Sequence, residues 1–370
     1  MEKDYPKGSE EWRDRREREE SMRLKKLLAA CLAVCMTVSL CGCTSGKDTS
    51  STQDKKSNQT AAVDKAASGE GATDITMVLD WTPNTNHTGL YVALEKGYFK
   101  EAGLNVSIVQ PPDNGATDLV ASGGAQFGID FQDTLAAAFG TEHPLPITAV
   151  AAILQHNTSG LISLKKNGID SPAKLEGHTY ATWDSPIEQA VMKHVVEKDG
   201  GDFSKVKLIS TYVEDIVAAL NADIDCVWIY YGWDGIKCKQ EGLETNYISM
   251  ADLDPVLDYY SPVIIGNNDF LKEHPKQAKA FLAAVKKGYE YAAEHPDDAA
   301  DILLKQVPEL DEKLVKESQE YLSKQYIADG DQWGVIEPER WDAYYRWLNE
   351  NKLVEKDIPE FAGFSNDYLQ

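Results

Sequence analysis

The sequence predicts an α/β fold with a ligand site at one edge of its first sheet. Short apolar runs typical of buried strands alternate with segments of helical periodicity from Asp74 onward, and this alternation is typical of parallel βαβ units. The first apolar run, Ile75 to Leu79, leads directly into a polar loop. Because open α/β sheets bind ligands beyond the carboxyl ends of their strands, that loop is the first candidate site.

The first series of elements follows that opening strand. An amphipathic helix comes next, with Leu90, Ala93 and Leu94 on its apolar face and Gly97 at its end. Further strands are predicted at 104–109, 127–131, 147–154 and 160–164, and further helices at 115–121 and 135–139.

The second series opens at His178. Its predicted elements are a helix from Pro186, strands at 207–210, 226–231 and 246–250, and a helix at 213–221. A strand at 263–265 follows, and helical periodicity continues over residues 269–357. Two tryptophans of this tail, Trp341 and Trp347, are expected to pack in the core rather than to contact ligand. The pattern around Trp333 is less clear.

The composition excludes several classes of partner. The 370-residue chain has 42% hydrophobic residues, enough for a real core, and a net charge of −23. Such an excess of acid argues against nucleic acid and against anionic lipid bound through a basic patch. It suits a cationic or neutral small molecule. Outside the signal and anchor only Cys226 and Cys238 remain, and no CxxC pair or Cys/His cluster has metal spacing, so no metal is expected. No cofactor is expected either. Cys226 and Cys238 are expected as ordinary thiols, with a disulfide as the alternative.

The N-terminal region has the pattern of an export signal. Residues 22–42 contain basic residues, an apolar segment from Leu27 to Leu40, and small residues before a cleavage site. Residues 1–21 are charged and lack an apolar face. We expect them to be an extension upstream of a true start at Met22, and their translation as part of the protein is the alternative.

The signal ends Leu40-Cys41-Gly42-Cys43, which resembles the lipobox of bacterial lipoproteins. The resemblance implies a lipidated Cys43 and a chain anchored to the extracytoplasmic face of the cell membrane. Ordinary cleavage nearby is the alternative. Residues 43–73 are rich in Ser, Thr, Gly, Lys and Asp and contain no aromatic residue, so they predict a disordered tether.

Three segments carry a family resemblance: LDWTPNTNHTGLYVALEKGYF, the overlapping KGYFKEAGLNVSIVQ, and SGGAQFGIDF. They resemble the type II periplasmic binding proteins and, over about residues 74–305, the NMT1/THI5-like family. The resemblance implies a type II periplasmic-binding-protein fold, with a ligand cleft between two lobes. Lobe 1 would comprise 74–162 plus 262–370, and lobe 2 would comprise 163–261. It also implies a monomeric solute-binding lipoprotein that works with the permease subunits of an ABC importer.

The family contains binders of the pyrimidine precursor of thiamine and also pyrimidine synthases. The synthase branch carries a cysteine-rich CCCFC motif, and the corresponding segment here, Tyr259 to Ile265, has no cysteine. The synthase also consumes a histidine of its own; His87 is present here, but the cysteines are not. We therefore expect a binder of an aminopyrimidine, not an enzyme. The alternatives are another ligand, riboflavin-like or taurine-like, and a synthase-type enzyme.

The loop after the first strand supplies half of the expected site. Trp81 can stack on a flat heterocycle or pack as a core residue at the strand end. Asp80 can accept hydrogen bonds from an exocyclic amine or cap a turn. Asn84 and Asn86 offer donors and acceptors, or satisfy their own loop. His87 can contact ligand or begin the helix.

The other half is expected where later strands end. Trp183 and Glu188 flank a predicted helix start, where Glu188 can point into the cleft or complete a capping box with Ser185. Asp130 ends the third strand and has the same ambiguity. Strand alternation places Trp228 and Tyr230 on one face and Tyr231 and Trp233 on the other. Either Tyr230 or Tyr231 is expected to form the opposite wall.

Overall fold

The computed structural model describes residues 72–211 and 213–369. The expected extension, the signal peptide, Cys43 and nearly all of the tether lie outside the described residues. Thr73, which the tether was expected to include, is already the first residue of a strand. None of the helices in the described ranges is both long and apolar enough to cross a membrane.

The first sheet has five strands in the order β2-β1-β3-β10-β4. Strand β1 is parallel to β2 and β3, whereas β10 is antiparallel to β3 and β4. The carboxyl ends of β1 and β3 therefore lie at the same edge, which brings the loops that follow them side by side. The bounds are β1 Thr73–Val78, β2 Leu104–Val109, β3 Phe127–Asp130, β4 Ile147–Ala152 and β10 Val263–Asn267.

The second sheet repeats this plan in the order β7-β6-β8-β5-β9. Strand β6 is parallel to β7 and β8, and β5 is antiparallel to β8 and β9. The sequence predicted parallel sheets. In the structure each sheet also contains one antiparallel strand, β10 in the first and β5 in the second. The bounds are β5 Ser159–Leu164, β6 Thr179–Thr182, β7 Lys207–Ser210, β8 Cys226–Tyr230 and β9 Thr245–Ser249.

The structure moves the expected boundary between the lobes. A boundary after residue 162 would divide β5, but all of β5 pairs with strands of the second sheet. The chain therefore passes from lobe 1 to lobe 2 within residues 153–158 and returns between β9 and β10. All six residues of β5 are buried, and a uniformly buried strand carries no sequence mark of the sheet it joins.

Thirteen α-helices of the described residues surround the sheets. They are α1 Thr88–Glu95, α2 Tyr98–Glu101, α3 Gly115–Ala121, α4 Gln132–Phe139, α5 Pro186–Lys198, α6 Ile216–Asn221, α7 Ile236–Gln240, α8 Met250–Leu253, α9 Asn268–Glu273, α10 Pro275–Glu294, α11 Pro296–Gln306, α12 Glu312–Leu322 and α13 Pro338–Glu350.

Two helix predictions need correction. The helix expected from residue 213 begins at Ile216, because the Asp215 side chain accepts hydrogen bonds from the backbone N–H groups of Val217 and Ala218 and so caps the helix. In α1, Leu90 and Ala93 are buried as expected, but Leu94 is 37% exposed.

Helices α1 and α10 pack unusually closely, at a pair of glycines. A Cβ added to Gly288 would lie 2.0 Å from the backbone oxygen of Gly89, and one added to Gly89 would enter the ring of Tyr289. No side chain other than hydrogen fits between the two backbones. This contact fixes α10 directly behind the loop that precedes α1.

Of the tryptophans in the C-terminal helical region, Trp333 and Trp341 are core residues, and Trp347, also expected in the core, lies at its edge. Trp341 is fully buried, as predicted, and its Nε1–H donates to the Ala362 carbonyl. Trp333 is also fully buried and stacks on Tyr289, with ring centroids 4.6 Å apart and planes 7° apart. Trp347 is half-buried, against Tyr344.

The remaining cysteines are free thiols buried in lobe 2. Burial raises the pKa of the Cys238 thiol to about 12 and raises that of Cys226 as well. Both cysteines are therefore protonated at neutral pH and chemically inert.

Candidate functional site

A cleft of about 310 Å³ lies between the carboxyl edges of the two sheets. Lobe 1 contributes the loop after β1 and the start of α4, and lobe 2 contributes strand β8 and the segments after β6, β7 and β8. Its lining residues are Asp80, Trp81, Asn84, Asn86, Phe131, Asp133, Thr134, Trp183, Val213, Glu214, Val227, Trp228, Ile229, Tyr230, Trp233 and Asp234. Six of the ten predicted ligand contacts are among them: Asp80, Trp81, Asn84, Asn86, Trp183 and Tyr230.

His87 lies behind this surface, not on it. Its ring is fully buried; Nδ1 accepts from the Asn84 backbone N–H at 3.1 Å, and Nε2 is 2.7 Å from Asp80 Oδ1. Because Nδ1 accepts, the proton of the neutral ring is on Nε2, which donates to Asp80. The expected ligand contact at His87 is thus corrected: this histidine orients the Asp80 carboxylate.

The loop after β1 is held in place by its own amides and by lobe 1. Asn84 is 6% exposed; its Oδ1 accepts from the Asn86 N–H at 2.9 Å, and its Nδ2 donates to the Thr82 carbonyl at 3.0 Å. The hydroxyl of Tyr289 donates to the Asn86 carbonyl at 2.7 Å. The Asn84 side-chain amide therefore forms its hydrogen bonds within the loop. These bonds hold the loop in one conformation before ligand binds.

Trp81 is the exposed ring of this wall. Its side chain lines the cleft and is 39% exposed. Two other tryptophans of lobe 1, Trp333 and Trp341, are fully buried. The core interpretation of Trp81 is therefore wrong, and its ring is open to a flat ligand.

Aromatic residues also line the opposite wall. Trp183, 41% exposed, packs on Trp228 with ring centroids 5.5 Å apart. Tyr230 stacks on Phe131 of lobe 1, with centroids 5.6 Å apart and planes 21° apart, so this pair joins the two lobes across the cleft. Of the two tyrosines considered, Tyr230 lines the cleft.

Tyr231 faces away from the site. Its ring packs on Tyr247 and Tyr321, at centroid distances of 4.8 and 5.2 Å. Trp233, which strand alternation grouped with Tyr231, nevertheless lines the cleft. The alternation fails because β8 ends at Tyr230 and the chain enters a short π-helix, Tyr231–Gly235.

Glu188 lines a second cavity of about 280 Å³ that adjoins the cleft. The carboxylate is 4% exposed and accepts from the Tyr180 and Thr182 hydroxyls at 2.6 and 2.7 Å and from the Trp183 N–H at 3.2 Å. Burial raises its pKa against these hydrogen bonds. The hydrogen bonds of Glu188 therefore stabilise the end of β6 within lobe 2, and its carboxylate does not line the cleft.

Asp130 also lies outside the cleft lining. Its carboxylate accepts from the Phe131 N–H at 2.8 Å and from the hydroxyls of Thr117 and Thr134. Burial raises its pKa. These contacts assign Asp130 to the turn that begins α4.

Sequence reasoning missed Asp133, which belongs to both cavities. Its Oδ1 is buried and has no hydrogen-bond partner among the described residues, while the carboxylate as a whole interacts with the Tyr259 hydroxyl and the Thr134 backbone N–H, which lower its pKa. Burial, together with the nearby charge of Asp130, raises its pKa to about 6. One feature of the sequence could have indicated it: Asp133 lies three residues after Asp130, the predicted contact at the end of the third strand, in the first turn of α4.

The cleft is acidic. Glu214 and Asp234 line it together with Asp80 and Asp133, and burial raises the pKa of Asp234 to about 6. Among the described lining residues none is Lys, Arg or His. Rings on both walls and hydrogen-bond acceptors between them suit a flat molecule that carries N–H donors.

Comparison with known proteins agrees with this architecture. The family model described as NMT1/THI5 like matches residues 84–299. The formylaminopyrimidine-binding protein of Halalkalibacterium halodurans is 30% identical over 308 residues, which is 81% of this chain and 92% of that protein. The 4-amino-5-hydroxymethyl-2-methylpyrimidine phosphate synthase of Candida albicans is 25% identical over 240 residues, 61% of this chain and 69% of the synthase.

Solved structures share the fold at low identity. The alkanesulfonate-binding protein SsuA from Xanthomonas axonopodis pv. citri, bound to MOPS, superposes with a TM-score of 0.60 at 10% identity, over 80% of this chain and 99% of SsuA. The periplasmic nitrate-binding protein NrtA from Synechocystis PCC 6803 gives a TM-score of 0.59 at 16% identity, over 80% and 87%. The expected two-lobe periplasmic-binding-protein fold is confirmed, and the chain belongs to the NMT1/THI5-like family.

Proposed function

We propose that this protein is the solute-binding lipoprotein of an ABC importer and that its ligand is an aminopyrimidine precursor of thiamine. The observation that carries the proposal is the pairing of an exposed ring, Trp81, with a carboxylate, Asp80, that His87 holds in a fixed orientation. A heterocycle stacked on Trp81 places its ring edge, and an exocyclic amine, within reach of an acceptor in that loop.

Recognition at Asp80 follows from hydrogen-bond chemistry. The Asp80 side chain is 8% exposed, so a donor that reaches it replaces little water and makes a strong bond. An analogue without the amine would leave a buried acceptor unpaired, at a cost of about 1–3 kcal/mol. Relatives whose names include aminopyrimidines, among them a binding protein at 30% identity, support this choice of ligand.

The acidic cleft disfavours the sulfonate alternative. A sulfonate is an anion and would be bound by Arg, Lys or an open helix N-terminus. The described lining residues supply four carboxylates instead. A riboflavin-like heterocycle could also stack on the aromatic residues that line the cleft. The binding experiment below therefore compares riboflavin with aminopyrimidines.

We infer binding rather than catalysis. The segment Tyr259 to Ile265 lacks the cysteines of the synthase branch, and the two cysteines of lobe 2 are buried thiols. Export through the signal at 22–42 and lipidation of Cys43 would place a monomeric protein outside the cytoplasm. There it would deliver its ligand to permease subunits.

Titration calorimetry with a ligand panel tests the proposal. The panel contains 4-amino-5-hydroxymethyl-2-methylpyrimidine, the same ring without the 4-amino group, thiamine, riboflavin and taurine. We expect the aminopyrimidine to bind most tightly and the des-amino ring to bind at least about fivefold more weakly, the lower end of the unpaired-acceptor cost. Tight binding of riboflavin or taurine with none of the aminopyrimidine would overturn it.

A further inference from the structure

The Asp80 carboxylate faces the cleft without a positive partner, and this determines which charge state of the ligand it suits. We propose that the aminopyrimidine binds as a cation, with one ring nitrogen protonated, and that Asp80 is its counter-ion. This inference rests on the proposed function, because it takes the ring to stack on Trp81 with its amine at Asp80. It sets no charge on the ring substituent, so it accommodates a formylamino group, as in the ligand for which a relative is named.

One oxygen of Asp80 is available to a ligand. Oδ1 is 2.7 Å from His87 Nε2 and accepts its hydrogen bond. Oδ2 has no hydrogen-bond partner among the described residues and is not one of the buried atoms in that condition, so it keeps exposed surface. The residue lines the cleft, and its side chain is 8% exposed. Oδ2 is therefore the atom at which a ligand N–H reaches this carboxylate.

His87 leaves the negative charge of Asp80 uncompensated. Its Nδ1 faces the Asn84 backbone N–H at 3.1 Å. A protonated imidazole would carry a hydrogen on Nδ1 and direct it at that N–H, so this hydrogen bond holds the ring in its neutral form. A neutral imidazole donates to Asp80 through Nε2 but supplies no positive charge. The two side chains together are therefore anionic.

The other titratable groups around Asp80 supply no positive charge either. Asp130 is a carboxyl group, and burial raises its pKa. Tyr230 and Tyr289 are phenols whose pKa values burial raises well above the usual one, so they stay uncharged. Among the described lining residues none is Lys, Arg or His. Three more carboxyl groups line the cleft, those of Asp133, Glu214 and Asp234. A cation is the ligand complementary to such a surface.

The aromatic residues of the cleft favour the same charge state. Trp81, Trp183, Trp228 and Trp233 line it, and the face of an indole attracts a cation more strongly than other aromatic faces do. Protonation of an aminopyrimidine spreads positive charge over the ring and onto the exocyclic amine. Both the stacking contact and the hydrogen bond to Asp80 are therefore stronger for the cation than for the neutral ring.

The pH dependence follows with a definite sign. An opposite charge at hydrogen-bond distance shifts a pKa by about 1–3 units toward the charged form, so the ring pKa is higher in the complex than in the free ligand. The added affinity is fully present below the pKa of the free ligand and is lost as the pH rises through the pKa of the bound ligand. Between these two values, binding takes up a proton. About one unit above the free-ligand pKa, we expect uptake of about 0.4–0.9 proton per ligand.

Titration calorimetry in buffers of different ionisation enthalpy measures this uptake. The ligand is 4-amino-5-hydroxymethyl-2-methylpyrimidine. The control is the same pyrimidine with a 2-trifluoromethyl group, which has a similar shape but a ring too weakly basic to protonate in this range. From the free-ligand pKa to about two units above it, affinity for the methyl compound should fall by about five- to fiftyfold. The trifluoromethyl compound should bind with constant affinity and take up no proton.

Two variants test the role of Asp80. Asp80→Asn removes the counter-ion and should reduce uptake below about 0.2 proton per ligand. Asp118→Asn removes an exposed carboxylate outside the cleft lining and should keep the full uptake. NMR of the unmodified protein with ligand labelled at its ring nitrogens shows the protonation state directly, so the result does not depend on Asp80→Asn being folded.

The outcomes separate this inference from the function on which it rests. A neutral ring in the NMR spectra, or equal uptake with both pyrimidines, would overturn the inference; equal uptake would place the proton on the protein. Full uptake retained by folded Asp80→Asn would overturn the assignment of Asp80 as counter-ion. In each of these cases the aminopyrimidine still binds, and the proposed function stands. Absence of binding by both pyrimidines would instead refute the proposed function.

Discussion

Substitution of Trp81 by Ala separates ligand stacking from packing. Trp81 is 39% exposed in the cleft, whereas Trp333, in the same lobe, is fully buried against Tyr289. If Trp81 stacks on the ligand, Trp81→Ala should cost about 1–3 kcal/mol of binding, the range found for base–aromatic stacking. That cost corresponds to a dissociation constant about 5- to 150-fold higher.

The expected effect on folding is small because the void left by Trp81 opens to solvent. A buried aromatic residue replaced by Ala costs about 3–5 kcal/mol, which includes a term for the sealed cavity it leaves. For Trp81 that cavity term is absent and part of the ring is already in water, so we expect about 1–2 kcal/mol.

Trp333→Ala is the matched control and should show the opposite pattern. Its unfolding free energy should drop by the full core value of about 3–5 kcal/mol, while ligand affinity of the folded protein should fall less than in Trp81→Ala, because Trp333 reaches the loop after β1 only through Tyr289. Urea denaturation and titration calorimetry on the same two variants measure both quantities. A Trp81→Ala protein that binds the aminopyrimidine normally, or that is destabilised as much as Trp333→Ala, would refute the stacking role of Trp81.

Three further predictions concern the anchor, the lobes and the contact between Gly89 and Gly288. Cys43→Ser should release the protein into the medium or leave it unprocessed; a mature-sized variant that still requires detergent for extraction would refute lipidation. Small-angle scattering should give a smaller radius of gyration with saturating aminopyrimidine than without, and an unchanged radius would argue against closure of the lobes. Gly288→Ala should lower the unfolding free energy by about 1–3 kcal/mol because its Cβ would meet the Gly89 backbone; a stability in urea equal to that of the unmodified protein would contradict that contact.

Much of the fold could be predicted because its signals are local. The run Ile75 to Leu79 and the polar loop after it mark a buried strand that ends at the cleft, and Trp81 lines that cleft. The assignment of β5 to the second sheet could not be predicted in the same way. Its pattern shows that it is buried, but the partner strand is chosen by contacts distant in sequence.

The parts of the site that were missed depend on side-chain direction. The role of His87 follows from two hydrogen bonds that fix its tautomer, and no spacing in the sequence reveals them. Strand alternation grouped Trp233 with Tyr231 because it assumed that β8 continues past Tyr230. Asp133 resembles an ordinary acidic residue in the first turn of a helix, and only the cavity beside it distinguishes it.

Helix α12 links ligand recognition to the relative position of the lobes. On one side Ser318 hydrogen-bonds with Thr85, next to the lining residues Asn84 and Asn86, and its hydroxyl also donates to the Gly232 carbonyl of lobe 2. A rotation of lobe 2 that breaks the Gly232 contact would leave the Ser318 hydroxyl free to reorient, so it would no longer be held in position as the acceptor for Thr85 in the loop after β1. The open state would then have a looser loop than the closed state. Amide exchange in residues 82–87 should accordingly slow when ligand closes the cleft.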